Sequence, residues 1–121
     1  MFRDVAALGA ALTPLEVRPD GSGATSPDGM RVLGIFNQCM VGLVRFRGET
    51  PWERHPDDEL LHVLDGAVEV TIEGDAGPAT TTLRAGDLCV VPGGAWHRQR
   101  TCGVTLVYVT SSQGNEHRPA G

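Results

Sequence analysis

The sequence of 121 residues contains no lysine, and its ten arginines are outnumbered by 15 Asp and Glu residues, which gives a formal net charge of −5. Proteins that bind nucleic acids concentrate positive charge on one face. The acidic balance therefore argues against a nucleic-acid partner. The absence of lysine also excludes Schiff-base catalysis, because that chemistry needs a lysine amine.

Cysteine is scarce, and no apolar run is long. The cysteines Cys39, Cys89 and Cys102 are widely separated and form no Cys-x-x-Cys pair, so they indicate neither a disulfide framework nor a zinc ribbon. The apolar stretch near the start carries Asp4 and ends at Thr13, which does not fit a secretory signal. No run approaches the length of about 20 apolar residues that crosses a bilayer. We expect a cytoplasmic protein that makes no membrane contact.

Aromatic residues make up only 5% of the chain, whereas there are 16 glycines and 8 prolines. Short runs of valine, leucine and threonine lie between these turn-forming residues, a pattern that favours many short strands over long helices. A chain of this length supplies one hydrophobic core. We therefore expect a single domain of 1–121 with an all-β fold.

The turns divide this domain into three parts: an N-terminal arm or short helix at 1–30, a barrel at about 31–110 and a polar tail at 111–121. Within the barrel the predicted antiparallel strands are 31–36, 39–47, 60–64, 68–73, 79–83, 88–91 and 104–110. Turn residues every eight to twelve positions predict a β-sandwich or a β-barrel. In the second strand Arg45 and Arg47 share a face, where they either meet solvent or line a pocket for an anion.

A candidate metal site lies just before the third predicted strand, where His55 and Glu59 precede a short apolar run. If the intervening loop enters a strand, both side chains converge on one face of the sheet. A second stretch ends in a Pro-Gly-Gly turn followed by His97, which can lie beside His55 in an antiparallel barrel. Two histidines and one carboxylate form a facial triad that leaves positions open on a divalent transition metal. Glu53, two residues before His55, shares its face by alternation and is a candidate fourth ligand.

These two stretches resemble the paired motifs of the cupin superfamily. Gly86, Pro92, Gly94 and His97 match the second motif, Gly-x5-Pro-x-Gly-x2-His, although Thr101 replaces the asparagine that usually follows. His55, Glu59 and Gly66 match the first motif, in which Glu53 replaces the leading histidine. The resemblance implies an antiparallel jelly-roll β-barrel.

The resemblance also implies a bound divalent transition metal. Two histidines and two glutamates form a harder and more anionic donor set than the usual three histidines and one glutamate. Such a set favours Fe, Mn or Zn over Cu, and Ni is also compatible. If Glu53 instead points to solvent, three ligands remain.

Two tryptophans and two further histidines can also be placed relative to the predicted site. Trp52 and Trp96 precede site histidines and are predicted to line the pocket, or else they belong to the core. Strand alternation sends His62 to the face opposite Glu59, where packing or an interface is expected. His117, in the predicted tail, is expected to be solvated.

The sequence leaves two functional classes open. One is a metalloenzyme, of dioxygenase or isomerase type, that acts on a small oxygenated organic substrate with Glu53 or Glu59 as a catalytic base. The other is a non-catalytic module that binds a small molecule or a metal, since one scaffold serves many chemistries. We also predict a homodimer, because open sheet edges are covered when two copies pair; His62 and the segment around Leu15 are the expected contacts.

Overall fold

The computed structural model describes residues 4–23 and 27–119, which form one short helix and nine strands. The helix α1 spans Val5–Ala10, and a single 3-10 turn spans Pro27–Gly29. The strands are β1 (Leu15–Val17), β2 (Met30–Phe36), β3 (Cys39–Glu49), β4 (Trp52–Arg54), β5 (Glu59–Gly74), β6 (Gly77–Arg84), β7 (Leu88–Val91), β8 (His97–Ser111) and β9 (Glu116–Arg118). The predicted all-β fold with a short N-terminal helix is confirmed.

The long strand β8 organises the sheet, because it pairs antiparallel with β3, β5 and β4. In its pairing with β5, Leu60 lies opposite Val109 and Ile72 lies opposite His97, so the two strands form a long ribbon. The two ends of such a long ribbon come close together only if the ribbon curls. β4 closes the curl, since Glu53 pairs with His97 at the beginning of β8.

Alternating residues of the ribbon fill the barrel interior. Leu61, Val63, Val68, Val70 and Leu106 are each at most 2% exposed. Their spacing by two residues places them on one face of β5 and β8. Burial of this apolar face is the main source of stability for the barrel.

The predicted turn between residues 64 and 68 is wrong, because β5 runs without interruption through Asp65 and Gly66. Gly66 has a φ of 78°, and a Cβ there would lie 2.2 Å from the carbonyl oxygen of Gly103 on β8. The register of the two strands shifts on either side of this point. Glycine therefore serves here as a β-bulge that bends a continuous strand.

Both ends of the described chain pack on the barrel. β1 pairs parallel with β3, and the Asp4 carboxylate caps α1 by accepting a hydrogen bond of 3.1 Å from the Ala7 amide. Arg45 donates to the Leu12 carbonyl oxygen at 3.0 Å, and Arg47 is paired with Glu16. Both arginines thus hold the N-terminal segment, and neither lines the barrel interior.

The segment predicted as a polar tail contains β9, which pairs antiparallel with β4 through Glu53 and His117. Its polar sequence gave no alternating apolar pattern, so the strand was missed. Within the described residues, no helix is long and apolar enough to span a membrane.

Candidate metal centre

The curl of the β5–β8 ribbon brings together four side chains that the sequence singled out. Glu59 begins β5, His97 begins β8, Glu53 lies on β4 and His55 lies in the turn that follows β4. His55, Glu59 and His97 are buried, with exposures of 6%, 5% and 1%. The Glu53 side chain is 23% exposed and is directed toward His55 rather than into open solvent.

The distances in this cluster are short. The Glu59 carboxylate lies between the two imidazoles, with Oε1 3.1 Å from His97 Nε2 and Oε2 3.3 Å from His55 Nε2. Glu53 Oε2 lies 3.8 Å from His55 Nε2. Glu53, His55 and His97 each contribute one candidate ligand atom, and these three atoms lie within 4.8 Å of one another.

These separations fit a metal ion. With metal–ligand bonds of about 2.0–2.2 Å, neighbouring ligand atoms lie about 2.8–3.1 Å apart in octahedral geometry and about 3.3–3.6 Å apart in tetrahedral geometry. The two contacts of Glu59 fall in these ranges. Glu53 Oε2 lies farther from His55 Nε2, at 3.8 Å, and Glu53 belongs to the group of candidate ligands with His55 and His97.

Fixed acceptors hold both imidazoles in the tautomer that a metal requires. His97 Nδ1 lies 3.1 Å from the carbonyl oxygen of Ala95, which can only accept, so Nδ1 carries the hydrogen. His55 Nδ1 lies 2.8 Å from Asn115 Oδ1. The Asn115 amide donates to the Ser111 carbonyl oxygen at 2.9 Å, which turns Oδ1 toward His55. Each neutral ring therefore directs the lone pair of Nε2 at the Glu59 carboxylate.

This arrangement is unfavourable without a cation, because two lone pairs face two carboxylate oxygens. His55 Nε2 has no hydrogen-bond partner among the described residues. Either protons or a metal ion must lie between these atoms. Imidazole nitrogen with carboxylate oxygen is a donor set that suits divalent transition metals, and second-shell acceptors on Nδ1 are typical of metal-bound histidines.

The pKa values of the two carboxyl groups move in opposite directions. Burial alone raises the pKa of Glu59, but the contacts with His55 and His97 outweigh burial and lower that pKa to about 2. Burial and the nearby charge of Glu59 raise the pKa of Glu53. Burial lowers the pKa of His55, yet the contacts with Glu59 and Asn115 prevail and the pKa is raised. The raised pKa values of Glu53 and His55 mean that protons compete with a metal for these two groups more strongly than for the same groups in water.

The family comparison agrees with this geometry, since residues 42–111 match the family model described as "Cupin domain". The chain belongs to the cupin family. The match spans β5 to β8 and all four candidate ligands.

Similar proteins were found by sequence and by structure. "Uncharacterized protein YdbB" of Bacillus subtilis (strain 168) is 38% identical over 70 residues, which are 57% of this chain and 59% of that protein. This cupin thus matches less than two thirds of the length of that relative. Protein NMB1881 from Neisseria meningitidis is 22% identical, with a TM-score of 0.67 over 93% of this chain and 100% of that one. A hydroquinone 1,2-dioxygenase, PnpCD, in complex with Cd²⁺ and 4-hydroxybenzonitrile, is 20% identical, with a TM-score of 0.63 over 93% of this chain and 73% of that one.

A cavity of about 280 Å³ adjoins the cluster inside the barrel. Glu53, His55 and Glu59 form one part of its lining, and most of the remaining wall is apolar, including Phe46 and Leu61. The site is thus open to a small molecule beside the candidate ligands.

The two tryptophans do not line this cavity. Alternation along β4 directs Glu53 inward and Trp52 outward. On the outside, the Arg118 guanidinium lies 5.4 Å from the ring centroid of Trp52 and 4.5 Å from that of Trp96. The Arg98 guanidinium also lies over Trp52, at 4.9 Å, and the Arg54 guanidinium lies over Trp96, at 4.6 Å. This stack holds β9 against β4, which keeps Asn115 beside His55.

The remaining histidines lie outside the cluster. His62 lies on the outer face of β5 in register with Leu88 and Val107, in keeping with its predicted orientation. The His117 side chain is 57% exposed, yet its Nε2 lies 3.7 Å from Glu53 Oε1 at the cavity mouth. It is therefore solvated, as expected, but also adjoins the site.

Sequence reasoning missed Asn115, the residue that orients His55. It lies 60 positions away in a polar segment, and no motif links the two. Gln99, Tyr108 and Thr110 were also missed as cavity residues. Alternation was a usable signal for Gln99, because it lies two positions after His97 on the same strand and so faces the same side.

Proposed function

We propose that this cupin binds a divalent transition metal through His55, His97, Glu59 and Glu53, and acts on a small oxygenated organic molecule by dioxygenase or isomerase chemistry. The observation that carries the proposal is the pair of imidazoles whose Nε2 lone pairs both face Glu59. Fe, Mn or Zn suits this donor set, and Ni is compatible. When bound, such an ion supplies Lewis acidity and an open position for an oxygen ligand.

The two glutamates have different roles in this proposal. Both oxygens of Glu59 face histidines, at 3.1 and 3.3 Å, so this carboxylate is engaged as a ligand. Glu53 makes only longer contacts, at 3.8 Å to His55 and 3.7 Å to His117. Because His117 is exposed, Glu53 has a partner through which a proton can pass between the cavity and solvent. We assign the catalytic base to Glu53 rather than Glu59.

The fold of PnpCD supports the class of chemistry but not a particular substrate, since fold alone does not determine function. That protein holds Cd²⁺ and an aromatic ligand. For this cupin the alternative is a binding module that holds a metal or small molecule without turnover. The apolar cavity beside the cluster is compatible with either.

The proposed assembly is a cytoplasmic homodimer of one-domain chains. Support for dimerisation comes from the outer face of β7, where Leu88 and Val90 are 57% and 52% exposed. They lie in register with His62 and Leu60 on β5. Large exposed apolar side chains in one patch mark interaction surfaces. All three cysteines are free, which fits a reducing compartment.

Metal analysis of the purified full-length protein tests the proposal. We expect about one equivalent of metal in the wild type, and loss of that metal in His55→Ala and His97→Ala. His62→Ala is the matched control, because it removes an imidazole from the outer face of the same barrel and should retain the metal. Equal metal content in all four proteins would refute the assigned centre. If metal is bound but no oxygenated substrate is consumed aerobically, the binding-module alternative stands.

A further inference from the structure

Three buried polar side chains face the cavity in addition to the metal cluster, and the proposed function does not use them. Gln99, Tyr108 and Thr110 are 8%, 7% and 5% exposed and all line the cavity. Among the described residues, Gln99 Oε1, the Tyr108 hydroxyl and Thr110 Oγ1 have no hydrogen-bond partner. Buried polar atoms are almost always paired, so these three side chains are available to pair with polar groups of a molecule that enters the cavity.

The fold makes room for this set. Tyr108 lies opposite Gly42, and a Cβ at position 42 would lie 2.2 Å from Tyr108 Cζ. Any larger residue would displace the ring from its place in the barrel. Gly42 therefore allows the Tyr108 hydroxyl to lie at the cavity rather than against the wall.

The charges around the cavity limit what it accepts. Its described lining contains two glutamates and no arginine, and the chain has no lysine. A carboxylate or phosphate placed near Gln99 and Tyr108, away from the proposed metal, would have no arginine or lysine partner in the described lining, and an unpaired buried charge is strongly disfavoured. A neutral hydroxyl group can donate to Gln99 Oε1 and can pair with the hydroxyls of Tyr108 and Thr110 at no such cost, whereas a carbonyl oxygen can only accept from those two hydroxyls.

Size and polarity define the rest of the ligand. A volume of about 280 Å³ is near the lower limit of ligand pockets, about 300 Å³, which suits a molecule with a single ring. The walls formed by Val44, Phe46, Leu61 and Leu106 favour an apolar body. An open groove shares Leu15, Glu53 and His117 with the cavity and provides an entrance.

We propose that the cavity selects an uncharged organic molecule with an apolar body of about one ring, whose hydroxyl groups pair with Gln99, Tyr108 and Thr110. This inference rests on the proposed function in so far as it names the substrate class of the same site. It assigns specificity to three residues of the protein itself, so it can be tested by binding alone.

Three probes of matched shape test the preference: 4-methylphenol, toluene and 4-methylbenzoate. Their affinities are measured by calorimetry or ligand-detected NMR under nitrogen at pH 7.5, on the full chain as purified and with its metal content determined. We expect 4-methylphenol to bind at least tenfold more tightly than either of the other probes.

Variants then assign the preference to two of the three side chains, Tyr108 and Thr110. In Tyr108→Phe and Thr110→Val the affinity for 4-methylphenol should fall at least threefold, whereas the affinity for toluene should stay within twofold. Thr82→Val, on the exposed part of β6, is the control and should change neither. If Tyr108→Phe does not fold, Thr110→Val and the three wild-type affinities still decide the question.

Binding of 4-methylbenzoate as tight as that of 4-methylphenol would overturn the inference, as would equal affinity for toluene or no binding of any probe. The metal content of the same samples separates the two proposals. Bound metal without a preference for 4-methylphenol refutes only the substrate class. A preference for 4-methylphenol without metal in wild-type protein refutes only the metal centre.

Discussion

The inner and outer faces of β5 and β7 each depart from the usual pattern of a half-buried sheet. Antiparallel sheets usually place apolar side chains inside and polar ones outside. Here the inner face includes Glu59 among its apolar residues, and this carboxylate is 5% exposed. The outer face presents Leu88 and Val90, both more than half exposed.

Each departure costs free energy in an isolated chain, because it leaves either polar atoms without partners or apolar surface in water. Natural sequences tend to make such departures where function requires them. The proposed metal and ligand would complete the inner face, and the proposed second copy of the chain would cover the outer face. Since different partners are proposed for the two faces, each face should respond to different substitutions.

The largest expected effect comes from removing the charge of Glu59 on the inner face. Glu59→Gln should weaken Zn(II) and Mn(II) binding by about 100-fold or more, since even outer-shell losses cost about 10- to 100-fold. Glu69→Gln changes the same residue type on the same strand, where the side chain is exposed, and should leave the affinity unchanged. Calorimetric titration measures both, and a similar loss in the two variants would mean that general charge rather than coordination holds the metal.

Lowering the pH should weaken the metal centre next most strongly. Both histidines must be neutral to coordinate, and an unperturbed histidine has a pKa of about 6.5. Since the contact with Glu59 raises the pKa of His55, protons compete with the metal at a higher pH than for a free imidazole. The affinity should fall about tenfold per pH unit below that pKa, where one histidine proton must be displaced.

Dialysis at a series of pH values followed by metal analysis checks this dependence. His62→Ala should follow the wild-type curve, because the outer histidine takes no part. Retention of full metal stoichiometry at pH 5 would contradict coordination by neutral histidines.

A charge on the outer face should separate the proposed dimer while sparing the inner face. Val90→Arg places a guanidinium in the exposed apolar patch and should weaken self-association by about tenfold or more, as expected for a central interface residue. Thr82→Arg, at an exposed position on β6, is the control. Light scattering gives the mass, and metal content should stay unchanged in both. A wild-type monomer at micromolar concentration would refute the dimer.

The motif residues could be predicted from the sequence because spacing along a strand fixes which side chains share a face. His55, Glu59 and His97 lie in one cluster, as their spacing predicted. Alternation also contained the answer for Trp52, since a strand that points Glu53 inward must point its neighbour outward.

Other features depend on contacts that no local pattern encodes. Asn115 meets His55 only because β9 returns to pair with β4. Gly66 has the same sequence signature whether it forms a turn or a bulge. Its role follows from the approach of Gly103 on the neighbouring strand, which is a property of the assembled sheet.

The smallest effects are expected at Glu53, the position where this chain departs from the usual cupin motif. Its carboxylate lies 3.8 Å from His55 Nε2, farther than that of Glu59, and its side chain is 23% exposed. Glu53→Ala should therefore weaken metal binding by only about tenfold, the scale of a secondary contribution. Glu53→His restores the usual motif and should bind within a fewfold of wild type, with a shift in preference from Mn(II) toward softer ions such as Ni(II) and Cu(II), because imidazole replaces carboxylate.

Titration of wild type and both variants with Mn(II), Zn(II) and Ni(II) measures these differences. Equal affinities for wild type and Glu53→Ala across all three metals would remove Glu53 from the ligand set. His55, Glu59 and His97 would then form a three-ligand centre.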